Sequence, residues 1–261
     1  MKLKYRFTDI QKVLSESVTL TRIEAVIDFG NVKAGTLGGY IQTSDNLSHE
    51  GLCWVGDEAY VYEFGRVSKD ALACGKSVIR GRACATDRSV ICDRALLNDH
   101  VLACDDAIIG ALSYISGVST ISGNASVFCE SFGQRCRYPN AQDFAVITEN
   151  STLLDRGVVG DWGVLRGYSV LRGNSRLTGH GTATGHTLLD GKSRVMDWGY
   201  VTEYAELCGT TTVSGHSVVR GRCKLFGPSL ITCRAQLTGN DELYGFRLSG
   251  DQTYGFGRRG S

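Results

Sequence analysis

From Cys53 onward the apolar positions of the chain recur every six residues, a period that fits neither a 3.6-residue helix nor a simple two-residue strand alternation. Small or β-branched residues mark one position: Cys53, Ala59, Gly65, Ala71, Ser77, Ala83, Ser89, Ala95, Val101, Ala107, Ser113, Ser119 and Ala125. Two residues after each comes an aliphatic partner, running Val55, Val61, Val67, Ala73, Ile79, Ala85, Ile91, Leu97, Ala103, Ile109, Ile115, Ile121 and Val127. The pattern breaks over residues 128–144 and resumes at Ala145 with Ile147, passing through Ser169 with Leu171 and Ser217 with Val219 to Ala235 with Leu237.

Residues i and i+2 of an extended strand point the same way, so each hexad is a short strand with two inward side chains, followed by a corner. The corners carry Gly, Asp and Asn, which tolerate the left-handed backbone of a tight bend. One strand and one corner cannot bury an apolar side alone. Three hexads therefore close a triangular coil of about eighteen residues, and coils stack. About ten coils at about 4.8 Å each predict an all-β parallel β-helix on the order of 45–50 Å long. The predicted organisation is a β-rich cap over residues 1–52, a first β-helical segment over 53–127, an insertion or irregular coil over 128–144, a second segment over 145–238, and a carboxy-terminal cap or tail over 239–261.

Composition supports this picture and narrows the function classes. Thirty-three glycines beside two prolines speak for periodic corners rather than a disordered chain, which enriches both residues. A net charge of +1 implies no strong electrostatic partner. The basic start lacks an apolar signal region and no run of eighteen apolar residues occurs, which predicts a cytoplasmic protein without a membrane span. The ten cysteines show no CxxC pair and are read as free thiols, Cys53 and Cys223 in the core and Cys74 and Cys92 as stacked neighbours.

Candidate chemistry follows from the eighteen-residue coil. His180 and His186, six apart, fall on different corners roughly 15–20 Å from each other, too far to share a metal. No metal site and no catalytic signature is predicted. Read at eighteen, the corner of His180 gives Phe144, Trp162, His180, Trp198, His216 and Arg234; that of His186 gives Tyr168, His186, Tyr204 and Arg222; and the third is polar, with Arg156, Asn174 and Lys192. Rings so placed either stabilise adjacent coils by stacking or form a platform for a flat ligand, a sugar or a base. Outward mid-strand positions are also apolar. Leu72, Val90 and Ile108 form one stripe, Tyr60, Val78, Leu96 and Tyr114 another, and Val146, Val164, Tyr200 and Val218 a third, with Thr182 between. Stripes of this kind mark an interface or lie under the cap or insertion.

The stretch VIDFGNVKAGTLGGYIQTSDNLSHEGLCWVGDEA, residues 26–59, resembles the amino-terminal cap of the YdcK-like hexapeptide-repeat proteins of bacteria and phages. The matching positions are Phe29, Asn31, Val32, Lys33, Gly35, Gly38, Gly39, Tyr40, Leu47, Ser48, Gly51 and Trp54. The resemblance implies a left-handed β-helix of the kind often labelled a putative acetyltransferase. Such enzymes bind acyl-CoA between neighbouring prisms of a trimer and use a histidine associated with a projecting loop. The one obvious insertion here, residues 128–144, contains no histidine. The function expected is therefore a binding or assembly scaffold, a homo-oligomer without a bound cofactor. The alternatives are an acetyl-CoA-dependent acetyltransferase with a histidine general base, and a structural phage or cell-surface component.

Overall fold

The computed structural model of the protein describes residues 3–128 and 139–255. Each hexad becomes a strand of two or three residues followed by a corner. The aliphatic partners are fully enclosed, with Ile79, Ile91, Leu165 and Val219 all at 0% exposure. The first corner residue has positive φ at six-residue intervals, as in Asp57, Glu63, Lys69, Gly75 and Gly81. Strands eighteen residues apart pair in parallel and in register, Val78 opposite Leu96 and Leu96 opposite Tyr114. The chain is thus an all-β parallel solenoid with an antiparallel start, in two compact units, Met1–Asn124 and Ala125–Ser261.

The first unit opens with β1 (Tyr5–Ser15), β2 (Val18–Ala25) and β3 (Leu37–Ile41). β1 and β2 pair antiparallel, as do β2 and β3. β3 then lies parallel to Tyr60–Val61, with Tyr40 opposite Tyr60. The ladder of the solenoid therefore begins inside the predicted cap. The two adjacent glycines of the cap motif make this docking possible. A Cβ on Gly38 would sit 2.6 Å from Trp54 and one on Gly39 2.5 Å from the Ala59 carbonyl oxygen. Fully buried Asn46 ties the cap to the first coil, its amide donating to the carbonyls of Glu63 and Gly65 at 3.1 and 2.8 Å. Twelve coil strands, from Trp54–Val55 to Thr120–Ile121, make four coils.

The second unit holds twenty-one strands, from Ser126–Phe128 to Thr253–Tyr254, or seven coils. The two units together have eleven coils among the described residues, against about ten counted from hexads. Two stretches account for the difference. Asn140–Ala141 lies within the predicted insertion yet pairs with Val158–Val159. There Pro139 takes the small-residue position and Ala141 the aliphatic one, both buried, so the signature is concealed. Residues 129–138 of the insertion lie outside the described residues. Within the predicted carboxy-terminal cap or tail, Glu242–Tyr244, Arg247–Leu248 and Thr253–Tyr254 continue the parallel ladders. The corner there is one residue short, Leu230 facing Arg247, which puts this coil out of phase with a six-residue count. No helix of the described residues is long and apolar enough to cross a membrane.

Candidate functional site

The chemistry of the second unit is concentrated at its corners, and the corners are built by a cross-coil device. A positive-φ residue turns its backbone N–H outward, away from the strand ladder. In this unit a carboxylate one coil earlier accepts that hydrogen: Glu149 from Gly167 at 2.7 Å, Asp161 from Gly179 at 3.0 Å and Asp197 from Gly215 at 3.2 Å. This explains the alternation DWG, GHG, DWG, GHS at one corner. The acidic residue supplies the acceptor, and the following glycine is needed because a Cβ on Gly179 would lie 2.7 Å from the Asp197 nitrogen.

The residue after each positive-φ position points outward, and here it is repeatedly a ring. Phe144 stacks on Trp162 with centroids 4.1 Å apart and planes 4° from parallel. Trp162 to His180 is 5.8 Å, His180 to Trp198 3.9 Å and Trp198 to His216 5.9 Å, all within 14° of parallel. On the next corner Tyr168, His186 and Tyr204 stack at 4.7 and 4.9 Å, and the Arg222 guanidinium lies over Tyr204 at 5.3 Å. His180 and His186 thus belong to separate rows, each between two rings of adjacent coils. The strands between the rows carry Val164, Thr182, Tyr200 and Val218 outward, all half-buried.

Both rows are wet. Trp162 is 51% exposed, Trp198 54% and Tyr168 58%, and the three histidines are exposed as well. Parallel stacking turns the ring faces toward one another and leaves the rims outward. A flat base or sugar inserted between two rings needs about 7–8 Å, twice the carbon contact distance, and no interval in either row reaches it. The exposed Trp, His and Tyr side chains carry N–H and O–H groups as well as electropositive ring edges, repeated from coil to coil.

The outward stripes of the first unit are half-buried, and Ile108 alone among the seven predicted interface residues is exposed, at 37%. Leu72 faces Val90 and Val90 faces Ile108, so the first stripe is continuous across coils. Tyr60, at the head of the second, packs edge-on against Tyr40 of β3. Its hydroxyl accepts from Lys12 at 3.0 Å, and Glu58 and Tyr60 together hold that lysine above its ordinary range. Val78, Leu96 and Tyr114 continue the stripe away from the cap.

The eight described cysteines are free thiols. Burial, reinforced by Asp93, pushes Cys92 up to about 12, the opposite of what a nucleophilic thiolate requires. Asp87, Cys104 and Asp105 bring ligand atoms within 4.8 Å of one another, but Asp87 is already paired with Lys69 at 2.6 Å.

A second cluster, in the cap, escaped the sequence reading. His49 stacks on Tyr5 at 4.3 Å, and its Nδ1 accepts the backbone N–H of Lys4 at 3.1 Å. Burial lowers the His49 pKa, with a further push from the Lys4 charge. Lys4 is itself buried, donating to the Glu50 and Gly51 carbonyls and to Cys53 Sγ at 3.2 Å. A shallow cavity of about 360 Å³ beside it is lined by Ser44, Asp45, Ser48, His49, Glu50 and Arg66. No periodicity in the sequence links Lys4 with His49 and Cys53, because they meet only through the antiparallel fold of the cap.

A 92-residue stretch of the chain is 36% identical to a protein of Escherichia coli (strain K12) named uncharacterized acetyltransferase YdcK. The match covers 32% of this chain and 28% of that protein. No family model matches the chain. The similarity and the observed solenoid both fit the hexapeptide-repeat proteins.

Proposed function

We propose that the protein is a β-helical binding scaffold that holds an extended carbohydrate along the ring-bearing edge of its second unit. The observation that supports this most is the exposure of the rows. Five large rings, Phe144, Trp162, Tyr168, Trp198 and Tyr204, are each at least 42% open to water. Stacking alone contributes about 0.5–1.5 kcal/mol per pair and leaves apolar area of this extent wet, which is the mark of a binding surface. Rims bearing N–H and O–H donors at the coil spacing suit a linear, hydroxyl-rich polymer lying parallel to the solenoid axis. The ligand lies across the rims rather than between the rings. Assembly into a homo-oligomer through the outward stripes of the first unit belongs to the same reading.

The test is a pair of substitutions, Trp162→Ala and Trp198→Ala, measured for melting temperature and for binding to oligosaccharide arrays. Loss of a glycan signal in variants that remain fully folded at the assay temperature, even with a lowered melting temperature, identifies the edge as the functional surface. Lower stability with no glycan bound by the parent protein returns the rows to a purely structural role. Light scattering at micromolar concentration checks the oligomer.

A second reading, acetyl-CoA-dependent acetyl transfer, rests on the name of the Escherichia coli relative. Acetyl-CoA would raise the melting temperature by mass action, and activity would vanish on changing one histidine to alanine.

A further inference from the structure

Ion pairs link adjacent coils in both units. Lys69 meets Asp87 at 2.6 Å, Arg88 meets Asp106 at 2.6 Å, Arg172 meets Asp190 at 2.9 Å, and Lys224 lies between Glu206 and Glu242. Each pair spans eighteen residues. Among the strand partners of the described residues, however, one facing pair is of like charge. Arg176 and Arg194 stand directly opposite each other on adjacent strands of the second unit, both exposed. Like charges so placed are destabilising, and arginine cannot relieve the strain by losing its proton. The flanking strands present Val158 and Thr212, which are uncharged. The carboxylates around the pair are engaged: Asp190 by Arg172, and Asp161 and Asp197 by the N–H groups of Gly179 and Gly215. Lys192, on the corner before Arg194, is exposed and adds a third positive charge.

We infer that Arg176 and Arg194 form a binding site for a tetrahedral oxyanion, a phosphate or sulfate group, which supplies the negative charge this ladder lacks. Two arginines carried on strands about 4.8 Å apart can each donate parallel N–H bonds to one such group, with a specificity that a lysine pair would not give. Lys192 contributes attraction without fixed geometry. The site stands on this charge pattern and is independent of the ring rows.

The experiment is titration of the full chain with inorganic phosphate, inorganic sulfate and glucose 6-phosphate, each against chloride at matched ionic strength. Melting temperature and the arginine side-chain NMR signals are followed. Phosphate or sulfate is expected to raise the melting temperature of the parent and to shift the signals of Arg176 and Arg194 selectively. Each fork lost, in Arg176→Gln or Arg194→Gln, weakens binding about tenfold. Tighter binding of the sugar ester than of the free ion would identify a phosphate-bearing ligand as the natural one; equal or weaker binding would identify the free anion. Arg194→Glu gives Arg176 an internal partner, so it should melt higher than the parent and bind no oxyanion. An effect of phosphate and sulfate no greater than that of chloride would overturn the site. So would selective shifts at other arginines, or undiminished binding by the Gln variants.

Discussion

The corners of the two units use one backbone device and two chemistries. In the first unit, as in the second, an acidic residue accepts the N–H of the positive-φ residue one coil later: Asp57 from Gly75, Glu63 from Gly81, Asp93 from Ala111, all at 2.8 Å. The next residue outward is where they part. In the first unit it includes Arg88 and Asp106, joined by two hydrogen bonds of 2.6 Å, beside the Lys69–Asp87 pair. In the second it is a ring on two of the three corners. The backbone needs only the positive-φ residue and its acceptor. The residue that follows is released from the fold's demands and free to carry recognition chemistry, which is why a binding reading attaches to the second unit.

The largest expected effect tests what the units share. Leu165→Asp in the second unit and Ile91→Asp in the first each bury an unpaired charge, at a cost on the order of several kcal/mol. Both should abolish the cooperative thermal transition seen by circular dichroism. A variant of either kind that melts like the parent would disprove the inward register of that unit.

Next comes the corner device itself. Gly179→Ala places a methyl group 2.7 Å from the Asp197 nitrogen at φ +63 and should destabilise by more than about 1 kcal/mol. The first unit tolerates Ala111 at φ 56, so the cost is assigned to close approach of the neighbouring coil rather than to the dihedral alone. Gly245→Ala, at φ +60 with nothing within 4 Å of the new atom, should therefore be milder. Equal losses in the two variants would remove that distinction.

The third comparison separates the corner chemistries. Trp162→Ala removes two ring contacts, with Phe144 and His180, for a loss of about 1–3 kcal/mol that survives high salt. Arg88→Ala breaks an exposed ion pair and should cost less. Its effect should fade as salt screens the pair. Melting curves of both variants at low and high ionic strength check the contrast.

The smallest effect is in pH. Lys69 holds Asp87 below its usual value, and Arg88 does the same for Asp106. A depressed carboxylate stabilises the fold above its unfolded pKa and loses that contribution as pH falls through the folded value. The melting difference between the parent and Asp106→Asn should therefore be constant near neutrality and narrow below about pH 4.

Much of the fold was legible because a stacked repeat converts spacing into contact. Ile79 and Leu97, eighteen apart, are paired strand neighbours, and the same arithmetic assembled both rows of rings without coordinates. It failed where the count is disturbed: at Pro139 and Ala141, where the residue types are atypical, and near Gly245, where one residue is missing from the corner. It also missed the Arg176–Arg194 pair, although the outward mid-strand residues read at eighteen contain it. A like-charged pair leaves no apolar period in the sequence, and it becomes a contact only once the strands are in register.

The sequence by itself determined the coil, the inward residues and the corners, because each depends on local period and on residues that tolerate positive φ. Tertiary structure alone decided three things. It set the facing of the rings, which stack and so offer rims rather than faces. It decided which carboxylates are already engaged by backbone N–H groups one coil away. And it brought Lys4, His49 and Cys53 together where the cap meets the first coil, and antiparallel pairing in the cap replaces the eighteen-residue rule, so distance along the chain no longer predicts contact.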